Sequence, residues 1–418
     1  MIGKLLPAPG TPRILVFATL VNTFGNGAYL TTSALFLTRS VGLTPAQVAI
    51  GLSAAALAGM VLTTPMGYVV DRRGPRDVQI AALITLAASF AAMTLVRGLW
   101  SFAVLACAIA VGDATVKAAS GAMIAGAVPP EERMRTRAFV RSTNNAGIAL
   151  GTLAGGVPLL LDSRAGYLAV LLVNAATCLG AALIVGRAAR VAPAKAPASG
   201  PRMVALRDRP FLAFALVDGL VAALYNELLS LALPLWLIAY THAPVTLVSA
   251  ALLVNTIGCV TLQVWASRGT HTAADAIPVT RRGALVVAAS CVLFGLTADR
   301  PSWLVSVLVL VAATVHVLGE LWLASATFAV VFDLAPDWAQ GQYQAAYQTG
   351  RQFGNMAAPS LLIALVIGLG VPGWIGLAAI FAAAGLTSPH IIHFGLRRAQ
   401  SRRQDAETAS GTQLAHVS

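Results

Sequence analysis

Gly67-Tyr68-Val69-Val70-Asp71-Arg72-Arg73-Gly74-Pro75-Arg76 reads G-x-x-x-D-R-x-G-x-R and sits between two long apolar stretches. Asp71, Arg72, Arg73 and Arg76 crowd four charges into six residues. A soluble protein has no use for such a cluster between two hydrophobic helices. A membrane protein does: its charges hold a short hairpin loop on one side of the bilayer, and the loop must turn tightly.

The rest of the chain agrees. It is 57% hydrophobic and 11% charged over 418 residues, against roughly 25% charged in soluble domains. A helix needs ~20 apolar residues to cross the hydrocarbon. Twelve stretches qualify, near 14–38, 46–70, 77–96, 99–127, 137–161, 165–188, 210–239, 245–267, 283–299, 302–332, 340–369 and 373–396. The apolar runs are unbroken, whereas barrel strands would alternate polar and apolar. The expected fold is therefore all-α and membrane-embedded.

The net charge of +12 is topological, not a nucleic-acid footprint. With the amino terminus inside, only Arg39, Arg97, Arg164 and Arg300 fall in outer loops, and Lys117 and Arg351 lie within spans. All other Lys and Arg fall in cytoplasmic loops or at the cytoplasmic ends of spans, as Arg137, Arg141 and Arg187 do, which places both termini inside. Cys107, Cys178, Cys259 and Cys291 all lie in apolar spans and read as small core residues, with no disulfide framework and no metal-ligand spacing. No cofactor motif occurs, and the absence of a P-loop excludes ATP as the driving force. The first apolar run is long enough to span and is read as retained, not as a cleaved signal.

The chain divides into a six-span bundle at 1–187, a linker at 188–209 with Pro193, Pro197, Gly200 and Pro201, a second six-span bundle at 210–396, and a polar tail at 397–418 expected to be disordered. The halves correspond at an offset of 203 residues. Arg97 and Trp100 fall on Arg300 and Trp303, and Gly147 and Gly151 fall on Gly350 and Gly354. Asp113 and Lys117 in span 4 fall on His316 and Glu320 in span 10. Each of these pairs is spaced i,i+4 and shares a helix face. A charge at mid-bilayer costs ~2.5–3.5 kcal/mol even on the lenient insertion scale, so such residues face the bundle interior or a wet cavity.

The decapeptide resembles the loop signature between the second and third helices of the major facilitator superfamily of secondary transporters, with Pro75 where the family usually carries a basic residue. The resemblance implies twelve helices in two pseudo-symmetric bundles, with spans 1, 4, 7 and 10 lining a central cavity. It implies that Gly67, Asp71, Arg72, Gly74 and Arg76 form a gate, with Asp71 meeting the start of span 11 near Gly341–Tyr343. Gly147-x-x-x-Gly151-x-x-x-Gly155-Gly156 resembles the antiporter signature of span 5, with Thr152 in place of its proline. Together with spans 4, 10 and 11, it points to the twelve-span drug:proton antiporter branch.

On that basis the expected proton-coupling groups are Glu320, His316, Asp218, Glu227 and Asp113. The expected cavity residues are Asn22, Asn26, Tyr29, Lys117, Tyr225, Trp236, Trp322 and Arg351. Each has a plainer reading. Asp113 and Lys117 can neutralise each other, His316 and Glu320 can be a packing pair, and Glu227 can cap a local break before Pro234. The expected function is proton-coupled export of an amphipathic small molecule, with the cargo, protons and the lipid bilayer as partners, no nucleic acid, and a monomeric state. Arginine outnumbers lysine 25 to 3, a usage that suggests a high-GC bacterium and hence its inner membrane. Proton-coupled import of a metabolite and a non-transporting membrane sensor or assembly factor are the rival readings. An enzyme is not expected.

Overall fold

The computed structural model describes residues 7–192, 203–244 and 246–415. These residues form twelve long helical stretches: α1 (Thr11–Ser40), α2 (Pro45–Arg73), α3 (Pro75–Met93), α4 (Leu99–Ala127), α5 (Pro130–Leu161), α6 (Arg164–Val185), α7 (Arg209–Tyr240), α8 (Thr246–Ala266), α9 (Ala273–Gly295), α10 (Ser302–Leu334), α11 (Gln340–Leu362) and α12 (Val371–Ala415). Ten of them are long and apolar enough to cross a membrane; α5 and α11 match them in length but are too polar by the same measure.

Local sequence sets the helix ends. Thr44 caps α2, accepting from the Gln47 amide at 3.2 Å while the Gln47 side chain accepts from the Thr44 amide at 2.9 Å, and Pro45 opens the helix. Gly74 ends α2 at φ 91°, a left-handed conformation that glycine takes without strain, and Pro75 starts α3 at once. Pro129 and Pro130 separate α4 from α5, and Asp208 caps α7. Near the far end of α7, Pro234 offers no amide to the preceding turn. The helix widens there into a π turn over Leu228–Ala232.

Three expectations need correction. Span 5 starts at Pro130, not near 137, and span 9 starts at Ala273, not near 283. In both, the first turns carry Arg, Asp or Glu at the water boundary, so hydropathy alone places the start too late. The tail expected to be disordered from Arg397 continues α12 as helix to Ala415. It contains Arg, Ala, Gln and Glu with no Pro, and no Gly before Gly411, so nothing local stops the helix. Part of the 188–209 linker, residues 193–202, lies outside the described residues.

The first half's core runs on into the linker-end residues of the second, among them Phe211, Val330 and Tyr343. The rest of the second half has a core of its own, where Trp374 stacks on Phe294 at 5.3 Å and meets Trp236 edge-on at 5.7 Å. Glycines set the closest approaches, and in matching places. A Cβ on Gly147 or Gly151 would strike Thr23 or the Phe24 carbonyl of α1; one on Gly350 or Gly354 would strike the Ala215 or Gly219 carbonyl of α7. Thus α5 lies on α1 as α11 lies on α7, and the repeat seen in the sequence is a repeat in packing.

The halves meet along α2–α11 and α5–α8, and at one end of the bundle along α4–α11 and α5–α10. This end carries the α2–α3 loop and the approach to the linker, and is called the linker end below. At the far end, α1 and α7 form no packed interface.

Candidate functional site

The α2–α3 motif closes the linker end. Gly67 lies against Ala345 and the Gly341 carbonyl, leaving no room for a side chain. One turn on, Asp71 accepts from the Gly341 amide at 2.6 Å and the Gln342 amide at 3.0 Å. These are orphan donors of the first turn of α11, where the helix dipole favours a carboxylate. The motif's acid therefore lies where the resemblance implied. Arg76 donates to the Gly186 carbonyl at the end of α6, and Arg72 covers the Tyr68 ring at 5.2 Å. Higher up the same seam, Thr64 and Thr349 bond at 3.2 Å and Gln352 donates to Thr63 at 3.4 Å.

Above this closure the ionisable groups gather. Glu320 of α10 is almost fully buried and pairs with Arg141 of α5 at 2.6 Å, across the two halves. Its other oxygen accepts from Asn255 of α8 at 2.7 Å, and the Cys259 thiol lies 3.6 Å away. Asp218 of α7 accepts from Thr327 of α10 at 2.7 Å and from the Tyr347 hydroxyl of α11 at 3.1 Å. Arg351 lies one turn beyond Tyr347, within electrostatic range of Asp218, Tyr225 and Arg141. Ser142 adds a bond to the Val260 carbonyl at 2.7 Å, fixing α5 to α8 beside the ion pair.

A cleft opens above this floor. On α11, Gln344 is buried against Gly121 of α4, Gln348 and Arg351 are half-buried, and Asn355 is exposed, all at helical spacing. On α4 the same face runs from buried Gly121 to Lys117, whose side chain is 53% exposed, and on to Asp113. Exposure thus rises along α11 away from the linker end, while on α4 it is highest at Lys117 and lower again at Asp113. Phe353 and Met356, on the opposite side of α11 from Arg351, are exposed and apolar, as a lipid-facing surface requires.

Not every expected residue faces this cleft. Asp113 and Lys117 bond to each other at 2.6 Å on its wall. His316 shares a face with Glu320 but does not bond to it. Its Nε2 lies 3.0 Å from the Tyr225 carbonyl and its Nδ1 3.3 Å from Ser290. A carbonyl only accepts, so Nε2 carries the proton and the ring is held between α7 and α9. Glu227 accepts from Ser230 of its own helix at 3.1 Å.

Asn22 turns to α6, where it accepts from Cys178 at 3.4 Å; Tyr29 meets Phe90 of α3 edge-on at 5.0 Å; Asn26 shares their flank of α1 by helical spacing. Trp236 is fully buried, donating to Thr297 at 2.8 Å and stacking on Tyr240 at 4.3 Å. Trp322 lies under Arg282 at 4.0 Å and beside Trp265, on the α8–α9 side. Asn22, Tyr29, Trp236 and Trp322 thus have partners within their own half. Mid-depth position in a cavity helix does not reveal which way a side chain turns.

Sequence reasoning misses Arg141 as a site residue, because it counts there only as a cytoplasmic charge. A signal is present: the run Arg141-Ser142-Thr143-Asn144-Asn145 is too polar for a lipid-facing helix.

Comparison with known proteins places this geometry. Among curated proteins, none matches the chain by sequence. Solved structures with the same fold include a bacterial homologue of the iron transporter ferroportin in an outward-facing state, at TM-score 0.71 and 14% identity, covering 92% of this chain and 99% of that one. The Major Facilitator Superfamily transporter FucP in its outward conformation matches at 0.68 and 15%, covering 91% and 97%. The human organic anion transporter MFSD10 (TETRAN) matches at 0.65 and 14%, covering 91% and 98%. These likenesses show the fold. The model of the Major Facilitator Superfamily matches residues 15–359, most of the chain, and the chain belongs to that superfamily of membrane transporters.

Proposed function

We propose that this chain is a twelve-span, proton-coupled secondary transporter that moves an amphipathic small molecule by alternating access, with both termini and the linker in the cytoplasm. The observation that carries the proposal is the Arg141–Glu320 pair at 2.6 Å. It joins the two halves above a closed linker end, and breaking a buried pair costs about 3–5 kcal/mol. A proton delivered to Glu320 from the open side ends the ionic attraction across the halves and leaves the Arg141 guanidinium to be answered by water or cargo, so the halves can separate at the linker end. Asp71 on the first turn of α11 is the second tie and acts as the gate.

Export is the direction proposed from the sequence, through the span 5 glycine ridge. Import is the second reading, and one observation favours it. Glu320 is already balanced by Arg141, so a proton on Glu320 leaves a bare guanidinium for a cargo group to satisfy. Proton and cargo then occupy the carrier in the same state.

The test uses protein reconstituted in vesicles of known orientation, with an imposed proton gradient and a panel of amphipathic solutes. Solute moving against the proton flow supports export by exchange; solute moving with it supports import. Gradient-independent behaviour for every solute would overturn proton coupling. Glu320→Gln is expected to abolish uphill movement and to permit downhill exchange. If it still concentrates solute, Glu320 is not the coupling group.

A further inference from the structure

The charges on the floor of the cleft do not cancel. Glu320 is committed to Arg141 and Asn255, and Asp218 to Thr327 and Tyr347. Arg351 makes no ion pair within 4.0 Å among the described residues, and its half-buried side chain lies on the wall that opens away from the linker end. Arg137 likewise makes no ion pair within 4.0 Å among the described residues and lies over the Phe328 ring at 4.7 Å. A guanidinium kept at membrane depth with no carboxylate in direct contact is a standing cost, and such residues mark cargo or ion paths. A fork of donors beside tyrosine hydroxyls matches a planar carboxylate in shape as well as charge.

We infer that Arg351 seats a carboxylate of the cargo, and that Arg141 joins it when Glu320 takes a proton. The exchange balances. The proton adds to Glu320, the Arg141–Glu320 ion pair breaks, and the cargo carboxylate takes the place of the Glu320 carboxylate on the guanidinium. The net charge between the halves then equals that of the Glu320 carboxylate state plus one proton and one anion, so a neutral pair has entered. Tyr225 lies alongside as a hydroxyl donor, while the Tyr347 proton is already given to Asp218. The substrate class is thus an amphipathic organic anion, in contrast to the cationic or neutral cargo that the acids alone suggest.

The inference rests on the proposal that this cleft receives a cargo, and its test needs no gradient. Full-length protein purified in detergent is titrated with three probes of one shape: 2-naphthoate, 2-naphthamide and 2-naphthylmethylammonium. Binding is read as the rise in thermal unfolding temperature. Naphthoate is expected to stabilise the protein, and the amide and ammonium to do so less. Glu320→Gln, which mimics the protonated acid and frees Arg141, is expected to tighten naphthoate about tenfold, roughly the worth of one charge-assisted contact. Arg351→Gln is expected to weaken it by a similar factor. Arg351→Lys keeps the charge without the fork, falls between, and serves if Arg351→Gln does not fold.

Equal or stronger stabilisation by the amide or ammonium overturns the inference. So does a Glu320→Gln protein that binds naphthoate no better, or an Arg351→Gln protein that binds it as well. Preferential naphthoate binding without movement in vesicles would count against the transport proposal alone. Movement of cargo with preference for the ammonium would count against this inference alone.

Discussion

Glu320 and Arg141 form one unit, and removing either half should be worse than removing both. Arg141→Gln leaves a buried carboxylate with Asn255 as its remaining donor, and Glu320→Gln leaves a guanidinium seeking a partner. Arg141→Gln should lower stability by about 3–5 kcal/mol, and Arg141→Gln with Glu320→Gln should recover most of that. Thermal unfolding in detergent of the two single variants and the double gives the coupling directly; additive losses would mean that the two side chains do not act as a pair. At this scale the sequence is half legible. Charge at mid-depth picks out Glu320, Asp218 and Arg351, because burying a charge is costly and has to be answered by the fold. It does not pick out Arg141, which lies near the cytoplasmic end of the expected span and is counted there only as a loop charge. Nor does it show that Trp236 meets Thr297 and Tyr240 or that Trp322 meets Arg282 and Trp265, because direction around a helix depends on partners the sequence does not name.

At the scale of elements, the contact that matters most is that between the end of α2 and the start of α11. Asp71 satisfies two amides that would otherwise be orphaned when this end is closed. Asp71→Asn keeps the shape but turns a charge-assisted acceptor into a neutral one. Turnover is expected to fall several-fold while equilibrium binding of cargo stays nearly unchanged. Parallel transport and binding measurements separate the two, and a binding defect larger than the turnover defect would show that the motif belongs to the cargo site. This contact is legible in the decapeptide alone, because each of its positions has its own steric or electrostatic duty: Gly67 for close approach, Asp71 for the dipole, Gly74 for positive φ. Helix starts are less legible, since the first turns of α5 and α9 lie at the water boundary and are polar in their own right.

At the scale of the molecule, the proposed orientation puts Ala192, exposed at the beginning of the linker, in the cytoplasm. In a background with the four native cysteines replaced, Ala192→Cys should resist a membrane-impermeant thiol reagent applied to intact cells and react after lysis. Prompt labelling in intact cells would invert the topology. The glycine seams have a further consequence, for biogenesis. Neither α5 nor α11 reaches the hydropathy of the ten other long helices, yet each is sheltered by a helix made earlier in synthesis, α5 by α1 and α11 by α7. Order of translation therefore supplies the chaperone. An insertion reporter carrying α5 alone should leave it in water, and one carrying α1 to α5 should bring it in. Efficient insertion of the isolated helix would show that each segment negotiates with the translocon on its own.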